Sequence, residues 1–159
     1  MPDMLVNLYN LKEDTQLYAD LDKKGIKIKR VLSPDREKVI SFIRETFHDE
    51  WANESKAAFV NNPISCYIAV KNKKIIGFAC YDATAKNYFG PTGVLDNERG
   101  QGIGKGLLLK SLFSMKEEGY GYAIIGWVTK AVGFYEKTVS ATVIEDSFPG
   151  VYERLIDVD

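Results

Sequence analysis

The amino-acid sequence predicts an α/β fold in which helices cover a single mixed sheet. Strand-like segments follow one another in the first half of the chain, whereas strands and helices alternate in the second half. The 159 residues suffice for one ordinary domain with a sizeable core. Apolar residues make up 45% of the chain and charged residues 27%, a balance typical of globular proteins in water.

The spacing of apolar residues predicts the elements of the N-terminal third. In order, they are a strand over 4–9, a short helix that ends before Gly25, a strand over 26–32, a helix after Ser33, and a short helix over 50–60. The Ser33-Pro34 pair indicates the start of its helix, because a capping hydroxyl precedes a proline at the first helical position.

The remaining elements are bounded by glycine, proline and polar turns. They are strands over 65–70, 74–81 and 87–95, a helix over 104–118, a strand over 122–127, a short helix over 131–137, and strands over 139–144 and 151–156. The last two strands are expected to form a closing hairpin around Pro149-Gly150.

Two cysteines lie in the neighbouring strands that turn at Asn72-Lys73. This turn places Cys66 opposite Ala79, and a shift of one residue would place it opposite Cys80. Both segments are apolar, so we expect buried, reduced thiols rather than a disulfide. Because the chain has one histidine and no CxxC pattern, no metal site is expected.

Charge and targeting signals argue against several classes of protein. The formal net charge is −1, and the sequence lacks the basic stripe that nucleic-acid binders usually carry. No segment approaches the length of a membrane span, and the N-terminus lacks the basic region and apolar run of a signal peptide. We therefore expect a cytoplasmic protein without nucleic-acid or membrane partners.

Four glycines occupy alternate positions in the segment ERGQGIGKGLLLKSL, residues 98–112, at the start of a leucine-rich helix. Glycine is a poor helix former, so this placement needs an explanation. The first turn of a helix exposes unpaired N–H groups and the positive end of the dipole, and glycines let an anion approach them. Arg99 and Lys105 add positive charge. The segment therefore predicts a phosphate site more readily than a merely flexible turn.

The spacing fits neither common nucleotide motif. In the dinucleotide pattern GxGxxG, the sixth position counted from Gly100 is Lys105, and counted from Gly102 it is Leu107. In the Walker pattern, Arg99 stands where the first glycine is required and Gly106 stands where Ser or Thr is required. A nucleotide-binding module of either kind is therefore disfavoured.

Two motifs in this order resemble the GNAT superfamily of N-acetyltransferases, which use acetyl-coenzyme A. The first is Arg-x-x-Gly-x-Gly over 99–104, which follows a strand ending in Val94-Leu95 and opens an amphipathic helix. The second is Gly133-Phe134-Tyr135-Glu136-Lys137, about thirty residues further on. The resemblance covers about residues 26 to 157.

This resemblance implies a mixed, mostly antiparallel sheet with helices on both faces and two strands that splay apart at the cofactor cleft. It implies a single N-acetyltransferase-like domain over 1–159, with residues 1–25 as an N-terminal extension packed on the core fold. The residues it assigns to acetyl-coenzyme A are Val94, Leu95, Arg99, Gly100, Gln101, Gly102, Ile103, Gly104 and Lys105. The pyrophosphate would lie on the amides of 99–105, and Val94 and Leu95 would offer main-chain groups to the pantetheine arm and the thioester.

The resemblance makes Tyr135 the general acid that protonates the departing sulfur. A tyrosine has an ordinary pKa of about 10, so its phenol holds a proton at neutral pH. The Leu95 N–H is expected to stabilise the tetrahedral oxyanion. Many superfamily members carry an asparagine seven positions before this tyrosine, where the present chain has Val128.

The base that deprotonates the amine is left open. His48 is expected to lie on the surface near the C-terminal end of a helix, and Asp82 on an exposed strand face; a chain of waters is the alternative. Trp51 lies where the superfamily often builds a wall of the acceptor pocket, but core packing is the simpler interpretation for it and for Trp127.

The predicted function is transfer of an acetyl group from acetyl-coenzyme A to a primary amine of a small-molecule acceptor. The alternative is a non-catalytic domain that binds acetyl-coenzyme A as a sensor or regulatory ligand. The glycine segment suits both functions, whereas Tyr135 favours the enzyme. The identity of the acceptor and an association into homodimers stay open.

Overall fold

A computed structural model describes residues 1–158, which form a seven-stranded sheet flanked by five α-helices. The strands are β1 (Met4–Asn7), β2 (Ile26–Arg30), β3 (Cys66–Lys71), β4 (Lys74–Tyr81), β5 (Tyr88–Val94), β6 (Tyr122–Ile125) and β7 (Thr142–Val143). Their order across the sheet is β2-β3-β4-β5-β6-β1-β7. Only β5 and β6 pair in parallel, so the sheet is mixed and mostly antiparallel, as predicted.

The helices lie on both faces of this sheet. They are α1 (Thr15–Lys23), α2 (Arg36–Thr46), α3 (Asp49–Ser55), α4 (Ile103–Glu117) and α5 (Val132–Val139). Strand β4 separates two apolar clusters: Phe78 and Cys80 pack with α2 and α3, whereas Ala79 and Tyr81 pack on the face that α1, α4 and α5 cover. This alternation is the period of two that a strand imposes.

The first strand lies inside the sheet rather than at its margin. Strand β1 pairs antiparallel with β6, where Met4 lies opposite Ile125, and with β7, where Met4 lies opposite Val143. Helix α1 begins after Asp14, whose carboxylate accepts a hydrogen bond from the Leu17 N–H at 3.0 Å. Residues 1–25 therefore supply an interior strand, next to the edge strand β7, and a helix in one of the covering layers.

The predicted C-terminal hairpin does not form. Strand β7 has only two residues, Thr142 and Val143, and it pairs with β1. Residues Gly150–Arg154 form a 3-10 helix instead of a strand. The Tyr152 ring packs on Trp127, with 4.4 Å between centroids, which turns this segment back toward the sheet. Ile156 is 99% exposed, so the apolar alternation in this segment does not correspond to a buried face.

Two local predictions are also wrong. Ser33 does not cap a helix: Ser33–Asp35 form a 3-10 turn without a capping side-chain hydrogen bond, and α2 begins at Arg36. The β3–β4 pairing shifts between Ala69 and Val70, and this irregularity places Cys66 opposite Cys80 rather than opposite Ala79.

The two thiols are buried and free, as expected. The contact with Cys80 and burial together hold the pKa of the Cys66 thiol well above its ordinary value. Cys66 therefore stays a protonated, unreactive thiol at neutral pH.

Arg30, the last residue of β2, ties the sheet to helix α4. Its guanidinium donates to the hydroxyls of Tyr81 at 2.8 Å, Tyr67 at 2.9 Å and Ser114 at 3.3 Å. The Tyr67 and Ser114 hydroxyls are 2.6 Å apart, and Tyr81 donates to Glu118 at 2.6 Å. Because Ser114 and Glu118 lie at the C-terminal end of α4, this network fixes the helix against β3 and β4.

We expect Arg30→Met to lower the free energy of unfolding by about 1–3 kcal/mol, because the acceptors of a partly buried network lose their donor. Methionine keeps the apolar stem in place. Urea denaturation followed by circular dichroism measures the change. The control is Lys29→Met at the neighbouring exposed residue, which should change the free energy of unfolding by less than about 0.5 kcal/mol. An equal loss in the two variants would show that the network contributes nothing of its own.

Candidate active site

A cleft opens where strands β5 and β6 separate. The two strands pair only at Tyr88–Ile124 and Phe89–Ile125. Beyond these pairs β5 continues along β4 to Val94, while the chain after β6 turns toward the N-terminus. There the Trp127 N–H donates to the Asp3 carboxylate at 3.0 Å, and the Val128 N–H donates to the Pro2 carbonyl at 2.8 Å. The predicted splaying therefore lies between residues 90–94 and residues 126–128.

Strand β5 bulges at the base of this cleft. Tyr81 of β4 lies opposite Phe89 and Ala79 lies opposite Thr92, so β5 has one residue more than β4 over this interval. The interval contains Gly90, whose φ of +120° suits glycine alone. The bulge interrupts the ladder next to the last β5–β6 pair.

The main-chain groups of Val94 and Leu95 point in opposite directions. The Leu95 N–H donates to the Ile76 carbonyl of β4 at 2.9 Å, and the Leu95 carbonyl accepts from the Glu98 N–H at 2.9 Å. Leu95 therefore cannot supply the free oxyanion donor that the sequence analysis expected of it. Since antiparallel pairing alternates, the Val94 N–H and carbonyl face away from β4, toward the cleft.

Helix α4 begins next to this cleft with its first amides free. Gly102 is its N-cap and has no side chain to cap the first turn. The Gly106 N–H donates to the Gly102 carbonyl at 2.9 Å, whereas the amides from Gly100 to Lys105 have no acceptor among residues 1–158. These amides lie at the positive end of a fifteen-residue helix. Their arrangement suits a phosphate group.

The four alternating glycines serve three different purposes. Gly100 and Gly102 have φ values of +85° and +88°, which favour glycine. Gly106 allows close packing, because a Cβ there would lie 2.5 Å from Ile28 Cδ1. Gly104 has neither constraint, since its φ is not positive and the nearest atom to a Cβ there would be Val94 Cγ2 at 4.0 Å. The conformation and packing of the turn thus account for three of the four glycines.

The charged side chains of the loop are already paired. Arg99 contacts Asp96 at 3.2 Å on the surface, and Lys105 donates to Asp14 at 2.8 Å. The hydrogen bond from Lys105 lowers the pKa of Asp14. An incoming phosphate must therefore compete with Asp14 for Lys105.

Gln101 and Ile103 are the remaining loop residues of the prediction. The Gln101 amide group donates to the Glu98 carboxylate at 2.7 Å and to its carbonyl at 3.0 Å, and Lys71 lies 3.5 Å from the same carboxylate. Ile103 is buried in the core beneath α4. Both can reach a ligand only through their main-chain amides.

Tyr135 lies near the base of the cleft. It sits on α5 with 7% of its surface exposed, and its ring packs edge-on against Phe89, with 6.5 Å between centroids. Burial raises the pKa of Tyr135 to about 12. The phenol makes no hydrogen bond among residues 1–158 and stays protonated at neutral pH.

Neither candidate base is free. His48 is exposed and directly follows Phe47, the C-cap of α2, as predicted; its Nδ1 also accepts from the Trp51 N–H at 3.3 Å and thereby caps the start of α3. The two carboxylate oxygens of Asp82 accept from the Asn87 N–H at 2.8 Å and from the Tyr120 hydroxyl at 2.9 Å. Asp82 thus organises the loop before β5.

The two tryptophans differ in environment. Trp51 packs with Phe47 and Phe78 under α3, in agreement with the predicted core role. Trp127 is also partly buried but belongs to neither apolar cluster: it packs on Tyr152 and Phe148 at the edge of the cleft, with a φ of +53° and a buried indole N–H that has no acceptor among residues 1–158. The prediction of core packing for Trp127 is therefore wrong.

A second group of residues near the cleft was missed by sequence analysis. An open pocket of about 690 Å³ lies between the loop before β5 and the C-terminal 3-10 helix, and one of its lining residues, Tyr88, pairs with Ile124 where the cleft begins. Asp3 and Tyr152 lie beside it. Sequence spacing gives no signal for such a site, because its parts come from the two ends of the chain.

Residues 1–158 contain no group of three or more His, Cys, Asp or Glu side chains that is arranged to hold a metal ion. None of the helices in this part of the chain is long and apolar enough to cross a membrane.

The sequence matches the acetyltransferase (GNAT) family over residues 28–139. The chain therefore belongs to this family, as its two motifs predicted. The acetyl-coenzyme A donor that the two motifs predicted agrees with this family. A comparison with curated protein sequences found no match.

Solved structures share the fold. A GCN5-related glucosamine N-acetyltransferase region of a fungal multi-domain GH3 β-N-acetylglucosaminidase superposes with a TM-score of 0.73 at 17% identity over 90% of this chain. A GCN5-related N-acetyltransferase from Sphaerobacter thermophilus gives 0.69 at 16% identity, also over 90%. The present chain spans only 19% and 48% of the lengths of those two chains.

A shorter relative is closer in length to this chain. A GNAT family acetyltransferase from Brucella melitensis, solved in complex with acetyl-coenzyme A, gives a TM-score of 0.54 at 14% identity, covering 75% of this chain and 86% of that one. At such identities the likeness establishes the fold and leaves the acceptor to be argued from the site.

Asp14→Asn should tighten the binding of acetyl-coenzyme A about two- to fivefold at low ionic strength. The substitution removes a negative charge beside the amides of residues 100–105 and frees Lys105, while asparagine still caps α1. Calorimetric titration at low and high salt measures the change, which should shrink as salt screens the charge.

The matched control is Asp20→Asn, on the exposed face of the same helix. Unchanged or weaker binding by Asp14→Asn, relative to this control, would contradict a competition between Asp14 and the phosphates for Lys105.

Proposed function

We propose that the protein is an N-acetyltransferase that transfers the acetyl group of acetyl-coenzyme A directly to a primary amine of a small-molecule acceptor. The observation that carries this proposal is the free amide row at the start of α4, next to two strands that have separated. The first feature suits a diphosphate and the second suits an extended arm that ends in a thioester.

The residues of the cleft fit such a donor. The amides of 100–105 and the Lys105 ammonium would hold the pyrophosphate, and the open side of Gly104 would leave room for it. The inward-facing N–H and carbonyl of Val94 would pair with the amides of the pantetheine arm as a neighbouring strand does. Leu95 is left out of this assignment because its main-chain groups are engaged.

The reaction then needs few groups from the protein. The neutral amine attacks the thioester carbonyl, a C–N bond forms, and the tetrahedral oxyanion collapses with cleavage of the C–S bond. Tyr135 gives its proton to the departing thiolate, and the proton shed by the new amide nitrogen restores the phenol. Holding amine and thioester in one cleft removes much of the entropic barrier.

The free position of the Tyr135 phenol supports this role. Its raised pKa comes from burial alone, so the hydroxyl is not committed to a carboxylate or a cation. It packs on Phe89, the residue at which the two strands part. The sulfur of an arm inserted into the cleft would end at its base, next to this acid.

Gly104→Val should raise the dissociation constant of acetyl-coenzyme A about tenfold or more, equivalent to about 1.4 kcal/mol. The added side chain would occupy the open space in front of the free amides. It would not clash with the protein at its Cβ, whose nearest neighbour would be Val94 Cγ2 at 4.0 Å. The free variant should melt no lower than the wild type, because glycine is the poorer helix former.

Calorimetric titration and thermal melting with and without acetyl-coenzyme A test this prediction. Lys116→Val, at the other end of the same helix, is the control and should bind normally. Normal binding by Gly104→Val would show that the diphosphate does not bind at the start of α4.

Tyr135→Phe should lower kcat roughly a hundredfold and leave the dissociation constant of acetyl-coenzyme A unchanged, since it removes an acid but keeps the ring. Release of free thiol in the presence of an amine acceptor measures kcat. Tyr122→Phe, at an exposed tyrosine of β6, should retain full activity.

Two outcomes would redirect the assignment. Equal turnover by Tyr135→Phe and Tyr122→Phe would remove the acid role. A wild-type protein that binds acetyl-coenzyme A but acetylates no amine would favour the sensor function instead.

A further inference from the structure

The pocket beside Tyr88 borders the cleft across the side chains of Tyr88 and Tyr152. Its walls come from the loop before β5 and from the C-terminal 3-10 helix. A Cβ on Gly126, at the edge of the cleft, would lie 3.0 Å from the Tyr88 ring and 2.6 Å from the Tyr152 hydroxyl. The two tyrosines therefore fill the space between the pocket and the point where β5 and β6 separate.

Two carboxylates lie behind the lining of this pocket, in contact with residues that form its walls. Glu54 accepts a hydrogen bond from the hydroxyl of Thr84, a lining residue, at 2.7 Å, and the second oxygen of Glu54 has no donor among residues 1–158. Asp3 is 5% exposed; its carboxylate receives the Tyr88 hydroxyl at 3.4 Å and lies against Gly150, also a lining residue.

Neither carboxylate forms an ion pair with a lysine or arginine of the described chain. Burial raises the pKa of Glu54. Burial, Glu54 and Asp3 in turn raise the pKa of Tyr152, which places the phenol within electrostatic reach of both carboxylates. The basic side chain near Glu54 is the imidazole of His48, which acts to lower its pKa, and no lysine or arginine of residues 1–158 pairs with either acid.

The outer rim of the pocket has the opposite character. Lys86 and Arg154 line it, are exposed, and form no ion pair among residues 1–158. Glu153 is the one acidic residue that lines the same rim. Arginine in particular presents a planar donor fork that matches a carboxylate or a phosphate.

From this division of charge we infer that the acceptor is a primary amine that also carries an anionic group, with its ammonium held inward by Glu54 and Asp3 and its anion held at the rim by Arg154 and Lys86. The inference rests on the proposed function, whose acceptor class it narrows. A carboxylate and a phosphate share the chemistry that the rim recognises.

Matched pairs of amines test this inference directly. β-Alanine is compared with β-alaninamide, and glucosamine 6-phosphate with glucosamine, while putrescine represents amines without an anion. Calorimetric titration of each amine into the protein saturated with coenzyme A measures the dissociation constant of the amine without turnover. Thiol release from acetyl-coenzyme A then gives kcat/KM for each amine. The carboxylate and phosphate pairs distinguish the two sources of the anion.

The anionic member of at least one pair should bind about tenfold more tightly than its neutral partner, equivalent to about 1.4 kcal/mol. Arg154→Gln should abolish that preference by weakening only the anionic member. Glu54→Gln should weaken both members of the pair and leave coenzyme A binding unchanged. Arg36→Gln, an exposed arginine at the start of α2, is the matched control.

Three results would overturn the inference. These are equal or weaker binding of both anionic members, tighter binding of putrescine, and an unchanged preference in Arg154→Gln. If the wild type binds no coenzyme A or acetyl-coenzyme A, the proposed function fails and the inference with it. If the donor binds and amines are acetylated without the preference, the inference alone fails.

Discussion

The separation of β5 from β6 is the constraint on which the rest of the site depends. Two parallel strands normally continue their ladder, but here pairing stops after Phe89 and Ile125. The bulge at Gly90 interrupts one strand, and hydrogen bonds from Trp127 and Val128 to Asp3 and Pro2 draw the other away. The separation leaves main-chain N–H and carbonyl groups of both strands without hydrogen-bond partners. Buried groups of this kind need partners, and the amides of an extended ligand arm can supply them.

The position of α4 follows from a second set of contacts, at the opposite end of that helix. Arg30, two tyrosines, Ser114 and Glu118 fix its C-terminal end on the sheet, while Gly106 lets it approach Ile28 closely. The first turn is left free of capping side chains. A helix held firmly at one end can keep open amides at the other, so these amides remain available to a ligand.

Local sequence signals predicted the elements on which the candidate site residues lie. The glycine turn, the helix after it and Tyr135 on the next helix depend on neighbours within a few residues, and they lie where the motifs indicated. Failures arose where pairing over long distances decides the outcome. The closing hairpin was lost because β7 pairs with β1. Leu95 was misassigned because the main-chain groups of adjacent strand residues point in opposite directions. Which of the two residues faces the cleft depends on the pairing with β4, which the sequence motif does not contain.

The same reasoning explains Cys66 and Trp127. One irregularity in β3–β4 moved Cys66 opposite Cys80. The contact of Trp127 with Asp3 joins residues that the sequence separates by most of the chain. The acidic and basic halves of the pocket likewise combine α3, the loop before β5 and the two termini of the described chain, so only coordinates could bring them together.

The insertion of β1 between β6 and β7 has a consequence for how the chain folds. Met4 pairs with Ile125 and Val143, more than a hundred residues away. On a ribosome, β1 is made before its partners β6 and β7 and must wait for them. High contact order of this kind slows folding, and it leaves an apolar segment unprotected in the interim. The strands from β2 to β5 pair with sequence neighbours and can assemble beforehand. We therefore expect late docking of β1 to complete the cleft, so that activity would appear only in the final step of folding.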